Sequence, residues 1–199
     1  MKHLIFILTF IFFSSSIFGQ SQKQLLRYKT STGHVITVRG NAILYDNRRI
    51  FTIKYPDDIY FDSKSNGIIE DDGSVFLFLA VNGSPNLDRL NVFSITPSKA
   101  VLVTDAILSP IKDYDHDGFL EFGGSDLTEV YPNPDSMYYI PTAYYEIKNG
   151  KIHSDDSLTR IKDIEINGLY IPYKKQLDKN GSCCKVIPKP KAHRKRVFH

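Results

Sequence analysis

The sequence predicts an all-β chain of antiparallel hairpins grouped into repeated blade-like units. Three observations carry that expectation. Short runs of Val, Ile, Phe and Tyr alternate with turn signals, and sustained helical periodicity is absent. Asn-Gly occurs at 66–67, 82–83, 149–150, 167–168 and 180–181, and Asp72-Gly73 adds a further pair that tolerates the positive φ of tight hairpins. A pattern also recurs: NAILYDNRRIFTI from Asn41, NVFSITPSKAVLV from Asn91 and AYYEIKNGKIH from Ala143. Each has alternating apolar residues, a turn, a basic residue and another strand, so Ile43, Phe93 and Tyr145 correspond, as do Arg49, Lys99 and Lys151. Multi-stranded repeats of about 40–50 residues are the size of propeller blades. A partial or small propeller-like array, an open β-meander and a β-sandwich all satisfy this pattern.

The elements follow in order along the chain. MKHLIFILTFIFFSSSIFGQ, residues 1–20, has a short basic start, an apolar run and then small residues, the layout of a secretory signal peptide. Cleavage is expected near Gly19 or Gln20. The apolar run is shorter than the ~20 residues that span a bilayer, and no transmembrane anchor is expected in the mature chain. The protein is therefore expected to be secreted or periplasmic. Residues 21–178 are long enough for a single β-rich domain with its own core. Two short helices are predicted, Ser21–Tyr28 and Asp155–Ile161. IIEDDGSVFLFLAV reads as strand, turn, strand, and YYEIKNGKIHS does the same with Asn149-Gly150 at its tip. Residues 125–136, with Pro132 and Pro134, read as a loop. Residues 179–199 read as a basic, mobile tail.

The formal charge of +3 conceals an asymmetry, because KVIPKPKAHRKRVFH at the C-terminus holds six Lys or Arg and no acid. The remainder of the chain is therefore net acidic. An exported address argues against nucleic acid as the partner of that tail. Cys183 and Cys184 are the only cysteines, so no disulfide framework is available; two thiols or an incidental pair, a strained vicinal bridge and a link to another chain all stay open. No H-E-x-x-H, G-x-S-x-G or phosphate-binding glycine loop occurs.

The densest chemistry lies in IKDYDHDGFLEFGG, residues 111–124. Asp113, Asp115 and Asp117 alternate, Gly118 follows, and Glu121 comes three residues later. Such crowding repels unless a cation sits among the acids. Hard cations such as calcium take about six to eight oxygens. The alternating carboxylates, the carbonyl of Phe119 and the side chain of Glu121 would supply five ligating residues, with Gly118 permitting the bend. The helix–loop–helix calcium hand wants Glu at the twelfth position, which here is Gly124. His116 is expected to face solvent.

This loop resembles the D-x-D-x-D-G-x-x-D loops of FG-GAP and VCBS-like β-propeller repeats, in which the loop runs straight into a strand; FLEFGG can serve as that strand. The resemblance covers residues 113–124 and, loosely, 74–168, and it implies bound Ca2+ in a β-blade. Glu121 departs from the family's usual Asp, and EDDG at 70–73 lacks the alternation, so one site is expected. The function expected is a calcium-binding, non-enzymatic module with a protein or glycan partner. The alternative is a secreted hydrolase of a glycan or phosphoester, with the acidic loop joined in a pocket to His153 or to Tyr-rich surfaces.

Overall fold

The computed structural model describes residues 24–125, 127, 132–177 and 183–190. The expected signal peptide and residues 191–199 of the basic tail lie outside them. All strand pairs are antiparallel. Strands β1 (Leu25–Lys29), β2 (Val35–Arg39), β3 (Ala42–Tyr45) and β4 (Arg48–Thr52) form a four-stranded meander. Strands β5 (Gly67–Asp71), β6 (Ser74–Val81), β7 (Arg89–Ile95) and β8 (Ala100–Ile107) form a second. In the third sheet, β9 (Leu120–Gly124) pairs with β11 (Ala143–Lys148), which pairs with β12 (Lys151–Ser154). Helix α1 (Asp156–Asn167) follows, and β10 (Ser136–Tyr138) pairs with β13 (Val186–Pro188).

The second sheet is the centre of the molecule, and strand alternation explains why. Along β6, Leu77 and Leu79 point one way and Phe76 and Phe78 the other. The first face packs on Ile36, Val38 and Ile43 of the first sheet. The second packs on Phe122 and Ile147 of the third, with the Phe78 and Phe122 rings edge to face at 5.3 Å. A strand covered on both faces must be apolar at every position, and VFLFLA is. Three sheets thus stack face to face in chain order without closing into a barrel.

The recurring pattern at Asn41, Asn91 and Ala143 is the last hairpin of each sheet: β3–β4, β7–β8 and β11–β12. The second register holds as well. Asp72-Gly73 turns β5 into β6, while the acidic loop turns a one-residue strand, Lys112 bridged to Glu121, into β9. Gly33, Gly73 and Gly118 occupy these first-hairpin turns at φ of 91°, 73° and 95°, a conformation that a Cβ disfavours.

The helix predicted over Ser21–Tyr28 is corrected. Its described part contains β1, because all of Leu25–Lys29 pairs along β2 while Leu26 and Tyr28 alternate toward the first core. The helix predicted at Asp155–Ile161 forms and runs on to Asn167, with Asp155 accepting from the Leu158 N–H and Gly168 closing it at φ 72°. Among the Asn-Gly pairs, 149–150 is a hairpin tip, 66–67 leads into β5, 82–83 lies in the β6–β7 loop, and 167–168 caps the helix; 180–181 lies outside the described residues. Val186–Pro188, within the stretch read as the tail, is hydrogen-bonded as β13 beside β10, with Ile187 buried. Cys183 and Cys184 are joined to each other as a disulfide, the vicinal bridge among the alternatives left open by the sequence. Among the described residues no helix is long and apolar enough to cross a membrane.

Candidate metal site

The acidic loop is held between two hydrogen bonds of the Lys112–Glu121 bridge, at 3.1 and 2.9 Å. Within it each carboxylate is aimed by the backbone. Asp113 accepts from the His116 N–H at 2.6 Å and from the Gly118 N–H at 3.1 Å. Asp115 accepts from the Asp117 N–H at 3.3 Å, and Asp117 from the Phe119 N–H at 3.0 Å. These are Asx-type turns, which curl a chain rich in alternating Asp around its own side chains. His116 takes a φ of 67° at the exposed rim, so the loop turns back there.

Glu121 enters from the strand. Phe122 points to the central sheet, so its neighbour Glu121 points to the opposite face, beneath the loop. There it is 0 % exposed. Its Oε2 accepts from the Tyr114 N–H at 2.6 Å, while its Oε1 has no partner. Asp113, Asp115, Asp117 and Glu121 each place one carboxylate oxygen within 4.8 Å of the others. Burial pushes the Glu121 carboxyl up to about 7; the Tyr114 N–H opposes that rise, and the charges of Asp115, Asp113 and Asp117 add to it.

A buried carboxylate oxygen with no donor is costly, about 1–3 kcal/mol or more for a charged group. A cation among the four acids would remove that cost and their mutual repulsion together. The donor set, all carboxylate oxygens, suits a hard divalent ion. The structure thus gathers four of the five residues predicted as ligands. The fifth, Phe119, was predicted through its carbonyl; its ring lies under the Lys148 Nζ at 3.8 Å, and Lys148 also pairs with Glu146 at 3.3 Å.

Cavities lie elsewhere. One is lined by residues 64–69 with Phe78, Pro110 and Ile111, and another by residues around Phe51, Tyr55 and Leu102. A third, of about 480 Å³, lies beside α1 and is lined by Thr142, Thr159, Asp163, Tyr170, Tyr173 and Gln176 among others. None of these three is lined by His153 or by the acids of the loop. Next to the third sits a polar network that sequence reading did not find. Asp163 accepts from the Tyr139 hydroxyl at 2.5 Å and from the Thr142 N–H at 2.8 Å, and Asn167 spans the Ile140 N–H and carbonyl. The available signal was their i, i+4 spacing on the helix that also carries buried Leu158.

No protein-family model matches the chain, and no curated protein or solved structure is significantly similar to it. The fold and the loop therefore stand on their own geometry.

Proposed function

We propose that this chain is an exported, calcium-binding β-module of the binding rather than the catalytic kind. The observation that carries the reading is Glu121: fully buried, with one oxygen unpartnered, beside three aspartates converging within 4.8 Å. An ion there would join the loop to β9 and so complete the first hairpin of the third sheet, whose leading strand is a single bridge. The role is structural: it orders a turn that the backbone alone secures weakly. The relationship proposed is to FG-GAP and VCBS-like repeats. It is supported by the loop's spacing, its passage straight into β9, and three sheets stacked in chain order. Export is supported by the N-terminal sequence. The turns that the ordered loops present are proposed to meet a protein or a glycan.

Calorimetric titration with calcium tests this. The expected outcome is one site with Kd on the order of 10⁻⁴–10⁻³ M, the range of extracellular modules, and a higher melting temperature at millimolar calcium. Glu121→Gln should remove both effects while leaving the circular dichroism spectrum intact. Neither heat nor thermal shift in the wild type would sink the reading.

A further inference from the structure

The cavity of about 480 Å³ beside α1 falls within the ~300–1,000 Å³ of small-ligand sites. Its floor is fixed by hydrogen bonds. Asp163 is 1 % exposed and has both oxygens engaged: Oδ2 by the Tyr139 hydroxyl at 2.5 Å, and Oδ1 by the Thr142 N–H at 2.8 Å and the Thr142 hydroxyl at 2.9 Å. Gln176 is only half engaged. It is 6 % exposed, and its Nε2 donates to the Ile171 carbonyl at 2.8 Å. Its Oε1 accepts no hydrogen bond among the described residues, although the side chain lines the cavity. An amide oxygen so placed calls for a donor from whatever enters.

The walls add further groups of mixed sense. Thr159 on α1 accepts from the Tyr144 N–H at 3.0 Å, and its own proton has no acceptor among the described residues. Asp156 accepts from the Ser154 hydroxyl through Oδ1, which leaves Oδ2 open. Tyr170 and Tyr173 also line the cavity, and Tyr173 is 79 % exposed. The Arg160 guanidinium lies 5.6 Å from the centre of the Tyr170 ring but is not part of the lining. Among the described lining residues the charged ones are Asp156 and Asp163, with no Lys, Arg or His.

We propose that this cavity binds a short neutral saccharide. Sugar hydroxyls both donate and accept, which matches a wall where Gln176 Oε1 and Asp156 take protons and Thr159 gives one. The C–H face of a sugar ring is apolar and packs on flat rings, and tyrosine supplies such a ring with a polar edge. Phosphates, sulfates and uronates would meet two acids and no lining cation, so they are disfavoured. A cationic ligand would suit the tyrosine rings and Asp156. It would leave the Thr159 proton unused, and the buried charge of Asp163 is already held by three donors. The cavity shares no lining residue with the acidic loop, so the inference does not rest on calcium.

The test is saturation-transfer NMR with calorimetric titration of the full exported chain. The probes are maltose, cellobiose, lactose and chitobiose, beside glucuronic acid and choline. Working in chelator keeps the result separate from the calcium reading. At least one disaccharide is expected to bind, and more tightly than glucuronic acid or choline. Tyr173→Ala should weaken that binding about tenfold without changing the melting temperature, because the side chain is exposed. Gln176→Ala should weaken it about fivefold. Gln176 also holds the Ile171 carbonyl, so if that variant loses its fold Tyr173→Ala decides. No binding by any of the four disaccharides overturns the proposal. So does tighter binding of choline, which would indicate a cation site, or of glucuronic acid, which would indicate an anion site. So does disaccharide binding unchanged by Tyr173→Ala, which would place the sugar elsewhere.

Discussion

A carboxyl group sealed from solvent beside three aspartates ionises reluctantly, and Glu121 turns that into two measurable effects. In the unfolded chain it titrates near 4.5, and in the folded metal-free protein near 7. Its contribution to stability is therefore fully present below about pH 4.5 and is lost as pH rises through about 7. The difference amounts to about 3 kcal/mol. In chelator, the wild type should lose stability relative to Glu121→Gln across that window, read by paired denaturant melts. If calcium binds as proposed, it must displace the same proton, so its affinity should fall as pH drops below about 7. Titration calorimetry in buffers of different ionisation enthalpy should count a released proton at mildly acid pH. An affinity flat across this range would remove Glu121 from the ligand set. The spacing of Asp113, Asp115, Asp117 and Glu121 was legible residue by residue. The orphaned Oε1 was not, because burial depends on which sheet Phe122 meets.

At the scale of elements, two features specify how strands and helix meet. Gly123 lies in β9 at φ 138°, and a Cβ there would fall 2.1 Å from the Ala143 carbonyl oxygen of β11. Gly123→Ala must push the two strands apart, so a loss of about 3 kcal/mol or more in a denaturant melt is expected. Helix α1 is held by its polar side. Asp163→Ala leaves the Thr142 N–H without its acceptor and the Tyr139 hydroxyl with Ile171 alone, in the interior, at an expected cost of about 3 kcal/mol. Asp163→Asn should retain part of that, since its carbonyl still accepts. This helix shows where periodicity misleads: its existence was legible as the short segment Asp155–Ile161, but not its facing. An apolar-stripe rule would bury Ile161 and Ile164, whereas the partners offered by Tyr139, Ile140 and Thr142 select Asp163 and Asn167 instead.

At the scale of the molecule, the central sheet couples everything. Leu77 and Phe78 are neighbours on one strand, both fully buried, yet they serve different interfaces. Leu77→Ala and Phe78→Ala should each cost about 3–4 kcal/mol. Both should leave one cooperative unfolding transition, since neither interface survives loss of the shared sheet. If the proposed calcium site fills, it should then protect amides of β2 in the first unit. Hydrogen exchange that slows only within residues 112–154 would show instead that the units open separately.

What the sequence determined by itself was local. Alternation, Asn-Gly and Asp-Gly turns and the recurring hairpins specify strands and their partners, because each is an interaction between residues close along the chain. The acidic loop belongs to the same kind, since its four acids lie within nine residues. Tertiary structure decided what depends on distant neighbours: that the N-terminal segment around Leu26 is a strand, that the second sheet is covered on both faces, that Glu121 is sealed while Ile161 is not, and that Val186–Pro188 returns to β10. Burial is a property of the assembled sheets, so no window of sequence contains it.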